Sequence, residues 1–568
     1  MRRATAVLGS KADQVPLIHR IVFTARSSST SSLPRNAFDL KPSSSSSQSK
    51  LPRLAITSRV PRRHLTIMNV TSSSVARAGQ SVCFPRAASS SVQALVDGPA
   101  ANASVTTIEC ISKGSFDSWL TEQPTTINAW VTATQFKGKD GEICVIPSSD
   151  GGIDRVICGV DNPEELWAYA GLPSKLPSGT YSLTGAINAN SAALGWALGT
   201  YSFDRYKSKK EDNDQKESFE GSGPKASLIW PEGSDHSVVS ALAQGFFLAR
   251  DMVTTPAEDM TPQDIAAEAV QLATTHGASS NVIVGDDLLI ENYPAIHMVG
   301  RASINPPHLV DLRWTPKGTI DAASLPKVTL VGKGVSFDTG GLDLKPASAM
   351  KLMKKDMGGS ALILALAHTV MATGLPISLR VLIPTVENSV SGNAYRPLDV
   401  LQTRAGITVE NGNTDAEGRL ILCDALAEAI KENPEIIIDA ATLTGAARVA
   451  LGTELPALFC NDDAVADDLI KAAREVNDPL WRMPLHQPYR KMLDSKVADI
   501  YSCSEGGYGG AITAALFLQE FVKDAKDVAW VHIDTMGYNN SSKPGRPEGG
   551  EAYALRGLFE FLQRRYKK

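Results

Sequence analysis

Four apolar runs, each linked to the next by a helical pattern, dominate the second half of the 568-residue chain. The runs are KVTLVGKG (327–334), SLRVLIPTV (378–386), EIIIDAATL (435–443) and VAWVHIDT (528–535), and the helical patterns cover 358–374, 419–432, 464–476 and 511–523. Near-continuous apolar strands with helical crossovers indicate a mostly parallel sheet that is covered on both faces. Because ligands bind beyond the carboxyl ends of such strands, we expect functional residues in the loops that follow them.

The chain before these runs is organised differently. Residues 106–231 alternate short apolar runs with turns and helical pieces, which predicts a small α/β domain. Residues 232–256 predict a long helix, ended by Pro256, that links this domain to a second, larger domain at 257–568. The predicted fold class is therefore α/β: a small N-terminal α/β domain is linked by a long helix to a larger C-terminal domain, whose mostly parallel central sheet is covered by helices on both faces.

Residues 1–105 have the composition of a transit peptide and disordered leader. The first 100 residues contain 14 Lys and Arg, only 3 Asp and Glu, and 20 serines. A Ser- and Arg-rich, acid-poor segment is typical of an organelle transit peptide, and the alternative is a disordered basic tail that stays attached. The serine content favours the chloroplast over the mitochondrion as the destination.

The remainder of the chain carries 42 basic and 58 acidic residues, so it is acidic. An acidic body argues against general binding to nucleic acid. No run approaches the roughly 18 to 20 apolar residues of a membrane span, so we expect no membrane partner either. The seven cysteines have no paired spacing, which favours buried free thiols over disulfides or a zinc–thiolate site.

Charged residues gather at two of the predicted loops. Lys333, Asp338, Lys345 and Asp356 follow the first apolar run, and Asp415, Glu417 and Arg419 precede the helix at 419. Taken singly, each charge is more simply explained as a loop residue in water. Asp415 and Glu417 have two interpretations: acidic residues that complement a helix N-terminus, or, on an extended turn, two carboxylates aimed at one cation.

Four carboxylates in one cleft are unfavourable without cations, and oxygen ligands in that number suit two divalent metal ions. The chain has nine histidines, no HExxH and no GxSxG, so a histidine-ligated zinc protease and a serine hydrolase are disfavoured. A phosphatase or nuclease would need basic clamps for phosphate. The candidates for such clamps, Lys351, Lys354 and Lys355, are better explained as a solvated helix face.

Four segments stand out: NTDAEGRL (413–420), VGKGVSFDTGG (331–341), LKP (344–346) and KKDMGG (354–359). Together they resemble the leucine aminopeptidase family, the M17 cytosol aminopeptidases. The resemblance covers at least residues 250–565. Residues 106–230 resemble the family loosely and look like the divergent N-terminal domain of a bacterial-type branch.

The resemblance implies a metalloaminopeptidase that releases leucine and other mostly hydrophobic N-terminal residues from peptides. It implies two divalent ions (Zn²⁺, Mn²⁺ or Mg²⁺) that share a bridging water. One ion would be held by Lys333, Asp338, Asp356 and Glu417, and the other by Asp338, Asp415 and Glu417.

The resemblance also assigns the remaining roles. Lys345 would polarise the scissile carbonyl, and Arg419 would hold a bicarbonate ion that relays the proton of the water. Met353, Thr442 and Gly445 match the pocket for the first side chain, although each could equally be structural. The family assembles as a homohexamer. The alternative function is a catalytically silent family member that serves as a binding or scaffold protein, but such a copy would be expected to have lost a ligand.

Overall fold

The computed structural model describes residues 83, 84, 86, 93–100, 103–208 and 226–567. Residues 1–82 lie outside the described residues, so the predicted transit peptide is not addressed by the fold.

The N-terminal domain is built on a six-stranded sheet. Its strand order is β1-β6-β5-β2-β4-β3, and every neighbouring pair is parallel except β3–β4. The strands are β1 Leu95–Val96, β2 Val105–Ile111, β3 Ile143–Pro147, β4 Ile153–Gly159, β5 Gly179–Gly185 and β6 Ala226–Ile229. The helices are α1 Phe116–Glu122, α2 Thr125–Ala133, α3 Trp167–Ala170, α4 Leu172–Lys175 and α5 Ala189–Gly199.

Part of the predicted leader is folded onto this body. Strand β1 pairs with β6 through Leu95↔Leu228 and Val96↔Ile229, so the domain begins before the predicted boundary at 105. Upstream, the amides of Cys83 and Phe84 donate to the Glu268 carboxylate at 2.8 and 3.0 Å. Both side chains are buried and belong to the large apolar core cluster. The composition of the leader did not predict this packing.

A long helix, α6 (His236–Thr254), follows the N-terminal domain. It begins where Asp235 accepts a hydrogen bond from the Val238 amide at 3.0 Å, and Pro256 follows its end. Gly245 allows a close approach to the next long helix, because a Cβ there would lie 3.1 Å from the Ala365 carbonyl oxygen. The helix is therefore packed into the core along its length.

The C-terminal domain is built on a larger sheet with the order β16-β15-β18-β14-β9-β11-β8-β7, and β10 pairs with β11. Its central pairs β18–β14, β14–β9 and β9–β11 are parallel, whereas β7–β8, β8–β11 and β15–β18 are antiparallel. The strands of this domain are β7 Ser279–Val284, β8 His308–Trp314, β9 Lys327–Gly332, β10 Gly334–Asp338, β11 Ser378–Asn388, β12 Val400–Leu401, β13 Val409–Glu410, β14 Ile436–Ala441, β15 Ala457–Cys460, β16 Trp481–Arg482, β17 Ile500–Tyr501, β18 Ala529–Asp534, β19 Tyr538–Asn539 and β20 Gly549–Gly550.

Helices pack on this sheet and form two large apolar clusters with it. They are α7 Pro262–His276, α8 Asp287–Ile290, α9 Pro294–Gly300, α10 Ala347–Met350, α11 Gly358–Ala372, α12 Glu417–Ala429, α13 Gly445–Leu451, α14 Asp463–Glu475, α15 Gly510–Gln519 and α16 Leu555–Tyr566. Short 3₁₀ turns lie at Ala257–Asp259, Ala322–Ser324, Met353–Met357, Ile430–Glu432 and Gln487–Leu493.

The predicted fold class is confirmed. The four predicted central strands form β9, β11, β14 and β18, and the helices between them lie where the patterns placed them. Among the described residues, no helix has the length and apolar character needed to cross a bilayer.

Candidate metal centre

All ten residues selected from the sequence line one cleft. The cleft has a volume of about 600 Å³ and lies at the carboxyl ends of β9, β10 and β14. It is lined by the candidate metal ligands Lys333, Asp338, Asp356, Asp415 and Glu417, the candidate catalytic residues Lys345 and Arg419, and the candidate pocket residues Met353, Thr442 and Gly445. Loops at one edge of a parallel sheet converge in this way, so the two charged motifs meet.

Lys333 lies at the bottom of the cleft, directly after β9. Its amide donates to the Ala440 carbonyl of β14 at 3.0 Å. Its Nζ lies 2.8 Å from Asp356 Oδ2 and 2.8 Å from Glu417 Oε1, and 2% of the lysine side chain is exposed. Gly418 lets α12 begin against this lysine, because a Cβ at Gly418 would lie 2.6 Å from Lys333 Cε.

Asp338 and Lys345 form the adjacent part of the site. Asp338 Oδ1 accepts hydrogen bonds from Asn388 Nδ2 at 2.8 Å and from the Gly340 amide at 2.9 Å. Asp338 Oδ2 lies 2.8 Å from Lys345 Nζ, which also contacts Asp415 Oδ1. Oδ1 of Asp338 is thus fixed by hydrogen bonds from neutral donors, whereas Oδ2 faces the charged groups of the cleft.

Three carboxylates converge next to these lysines. One oxygen from each of Asp338, Asp415 and Glu417 lies within 4.8 Å of the other two. Burial, and then the charge of Asp338, raises the pKa of Asp415 to about 6 and holds the pKa of Glu417 well above its ordinary value. Glu417 Oε2 is buried and has no hydrogen-bond partner among the described residues. Such crowding needs cations, and these oxygens suit divalent metal ions, so the residues fit a metal site.

Lys333 and Asp356 form a buried ion pair. Burial alone would lower the pKa of Lys333, but the charges of Asp356 and Glu417 outweigh it and raise that pKa above its ordinary value. Lysine coordinates a metal only as the neutral amine. A divalent cation among these carboxylates would therefore have to replace the ammonium charge.

The N-terminal end of α12 brings Asp415 and Glu417 together. Asp415 lies in a turn, and Glu417 is the first helical residue. The segment is not an extended turn, so that part of the cation interpretation is wrong. The helix-terminus interpretation is correct for the backbone. The two carboxylates still converge, as the cation interpretation predicted, because the helix starts between them.

Arg419 lies in the first turn of α12 and faces the same cleft. Its Nη1 donates to the Ser502 carbonyl at 2.7 Å, and its Nε is buried without a hydrogen-bond partner among the described residues. Burial lowers the pKa of this guanidinium from its ordinary value. A buried donor without a partner, beside the metal ligands, suits a small anion.

The three predicted pocket residues all line the cleft. Met353 is buried there, and Gly445 is the first residue of α13. The Thr442 hydroxyl donates to Asp356 Oδ1 at 2.8 Å and to the Asp356 carbonyl at 3.0 Å, so it also orients a candidate metal ligand. Thr442 thus has a structural role directly after β14, and its role in the side-chain pocket stays a prediction.

Several residues that support or line the cleft were not predicted from the sequence. Asn388, at the end of β11, donates to Asp338, and Asp534, at the end of β18, accepts from the amides of Leu443 and Thr444 at 2.9 and 3.2 Å. Their signal was available, because both are polar residues at the carboxyl ends of predicted central strands. Arg448 and Met536 also line the cleft, and nothing in the local pattern marked them.

Lys355 contradicts its predicted exposure. Its side chain is 3% exposed, and its Nζ lies 3.9 Å from Asp356 Oδ1. Burial lowers the pKa of Lys355 to about 8. The interpretation as a solvated face is wrong for this residue because the segment forms a 3₁₀ turn that is packed over the cleft instead of an exposed helix.

Comparison with known families agrees with this site. Residues 247–559 match the model of the cytosol aminopeptidase family, catalytic domain, and residues 106–216 match the M17 aminopeptidase N-terminal domain. The chain belongs to the M17 cytosol aminopeptidase family. The N-terminal match is clearer than the loose resemblance expected for 106–230. Membership confirms the predicted family and makes the protein a metal-dependent hydrolase of the aminopeptidase type.

Several bacterial proteins are similar to this M17 chain. A probable cytosol aminopeptidase of Chlorobium limicola is 40% identical over 378 residues, covering 65% of this chain and 74% of the relative. One of Rickettsia felis is 37% identical over 461 residues, covering 76% and 89%. Among solved structures, the cytosol aminopeptidase of Coxiella burnetii has 44% identity and a TM-score of 0.76, covering 83% of this chain and 99% of that one. The bottromycin maturation enzyme BotP in complex with Mn has 32% identity and a TM-score of 0.71, covering 81% and 100%.

Proposed function

We propose that this M17 protein removes leucine and other mostly hydrophobic residues from peptides with a free N-terminus, with two divalent metal ions in the cleft. The observation that carries the proposal is the convergence of Asp338, Asp415 and Glu417 within 4.8 Å beside the buried Lys333–Asp356 pair. All five candidate ligands are present, which a catalytically silent scaffold protein would not require.

The metal ions would be held by Lys333, Asp338, Asp356, Asp415 and Glu417. Bound there, divalent ions would supply Lewis acidity and a water molecule that ionises near neutral pH. The protein's own contribution is to fix these side chains: Asn388 holds Asp338, and Thr442 holds Asp356. The complex of BotP with Mn favours manganese as one of the ions to test, beside zinc and magnesium.

Lys345 and Arg419 provide the positive charge around the reacting groups. The Lys345 side chain is 13% exposed and lines the cleft, so its Nζ can reach a substrate carbonyl and offset the charge that develops there. Arg419, with its unpartnered Nε, would hold bicarbonate, which offers a proton acceptor. Met353, Thr442 and Gly445 would surround the first side chain. An apolar pocket discriminates weakly by size, so leucine preference would be partial.

The decisive experiment is an aminoacyl-chromogen assay on the chain after metal removal and after separate addition of Zn²⁺, Mn²⁺ and Mg²⁺. We expect leucyl hydrolysis to return with at least one ion, and Asp415→Ala and Glu417→Ala to abolish it. The matched control is Asp494→Ala, an exposed carboxylate outside the cleft, which should keep full activity. Activity that survives both cleft substitutions would exclude this site.

We further propose a homohexamer and an organelle location, with the chloroplast favoured. Light scattering on the purified chain should give six times the monomer mass, and a stable monomer would contradict the assembly.

Residues 1–100 fused to a fluorescent protein should enter the organelle, and a diffuse cytosolic signal would contradict the proposal that the leader is a transit peptide. Because Cys83 and Phe84 are buried against the body, cleavage upstream of Cys83 would leave the described fold intact.

A further inference from the structure

Arg448, on α13, lines the cleft. Its Nη1 donates to Met536 Sδ at 3.6 Å, and its Nη2 lies 3.5 Å from the position that a Cβ on Gly445 would occupy. Gly445 is one of the three predicted pocket residues, so the guanidinium stands beside the space proposed for the first side chain of the substrate. It adds a positive charge to a pocket whose predicted lining was apolar.

The charge of Arg448 is not neutralised within the described chain. None of its nitrogens has a carboxylate oxygen of a described residue within 4.0 Å. The neighbouring acid, Asp534, already accepts from Thr444 Oγ1 at 2.6 Å and from two amides. Lys355 lines the same cleft, and its charge repels that of Arg448. The Arg448 guanidinium therefore has no anionic partner among the described residues, and a bound ligand could supply one.

We propose that Arg448 extends the substrate range of this site to peptides that begin with glutamate or aspartate. The inference rests on the proposed aminopeptidase function and names a second substrate class for it. The methylene groups of such a side chain would pack against Met353 and Met536, and its carboxylate would accept hydrogen bonds from the guanidinium. A planar guanidinium with several donors is the side chain best suited to a carboxylate.

The test compares glutamyl with glutaminyl substrates, because the two side chains have nearly the same shape and differ in charge. We would measure kcat/KM for leucyl, glutaminyl, glutamyl and aspartyl chromogens with the full metal-loaded chain. The unmodified protein should cleave the glutamyl substrate at least as efficiently as the glutaminyl one. A hydrogen bond between charged groups is worth roughly tenfold to a hundredfold, so Arg448→Met should lower the glutamyl-to-glutaminyl ratio by about tenfold or more.

Three comparisons isolate the charge. Arg448→Lys should keep most of the ratio, and the thermal unfolding of both Arg448 variants reports whether they fold correctly. Arg474→Met removes an exposed arginine on α14, away from the cleft, and should leave the ratio unchanged. In the unmodified protein, added salt should reduce glutamyl hydrolysis more than glutaminyl hydrolysis, which gives a test that needs no variant.

The outcomes separate this inference from the proposed function. Leucyl hydrolysis with a glutamyl rate tenfold below the glutaminyl rate would overturn the role of Arg448 and leave the peptidase assignment intact. An unchanged ratio in Arg448→Met would do the same. Absence of hydrolysis on every substrate, after each metal has been restored, would overturn the proposed function and this inference with it.

Discussion

Gly418→Ala probes how closely the position of Lys333 controls the site. A Cβ at Gly418 would lie 2.6 Å from Cε, 2.7 Å from Nζ and 2.8 Å from Cδ of Lys333. Since real Cβ contacts are seldom closer than 3.4 Å, moving Cε from 2.6 to 3.4 Å requires a displacement of about 0.8 Å. The lysine Nζ has contacts of 2.8 Å to both Asp356 and Glu417, so it cannot move this far and keep both.

The fold should survive this change. The obstructing atoms belong to the far end of a flexible side chain, and overpacking of this kind costs about 1 to 3 kcal/mol. Alanine is favoured over glycine in a helix by about 1 kcal/mol, which offsets part of that cost. Activity should suffer more, because a displacement near 1 Å in a catalytic constellation can reduce the rate by about a hundredfold.

We therefore expect Gly418→Ala to lower kcat/KM for a leucyl chromogen by about a hundredfold, with the free energy of unfolding reduced by no more than about 2 kcal/mol. Urea denaturation of the metal-free protein measures the second quantity, and elemental analysis measures bound metal. The control is Gly392→Ala, where a Cβ meets nothing within 4 Å. Full activity and full metal content in Gly418→Ala would refute the argument that Lys333 must keep its place.

Three other predictions concern stability. Although burial alone would raise the pKa of Glu428, hydrogen bonds from Arg380 and Arg404 lower it from 4.5 to about 2. Glu428→Gln should therefore reduce the free energy of unfolding by about 2 kcal/mol at pH 7. This difference from the unmodified protein should vanish as the pH falls from about 4.5 towards 2. Gly359→Ala should destabilise by more than about 3 kcal/mol or give insoluble protein, because its Cβ would lie 2.2 Å from the Ala440 carbonyl oxygen, a backbone atom that cannot yield. A divalent ion at a hundred times its Kd should stabilise the metal-stripped protein by about 2.7 kcal/mol in thermal unfolding, and Glu417→Gln should lose most of this response.

The sequence was sufficient to predict the framework. Buried parallel strands must be apolar on both faces, and this pattern alone predicts β9, β11, β14 and β18. Such a pattern does not give the order of strands along a sheet, and the antiparallel strands β7, β8 and β15, in the outer parts of the sheet, were not predicted. Local hydrophobicity decides what is buried, whereas pairing depends on contacts between distant segments.

The candidate ligands were also predictable, because their spacing matches a known family signature. What those residues touch was not. Three features depend on which segments the completed sheet brings together. They are the hydrogen bond from Asn388 to Asp338, the burial of Lys355, and the packing of residues 83–84 on the folded body.

Arg448 shows the division most clearly. In the sequence it is one arginine shortly after an apolar strand pattern, and an arginine in that position is ordinarily solvated or paired. The tertiary structure places it, half-buried, in the lining of the cleft, where Nη1 lies 3.6 Å from Met536 Sδ and no described carboxylate oxygen lies within 4.0 Å. The sequence by itself determined the strands, the helices and the charges that gather at their ends. Only the fold decided which of these charges face one another, because electrostatic partners are set by distance in space, and residues far apart in the chain meet only when the sheet is complete.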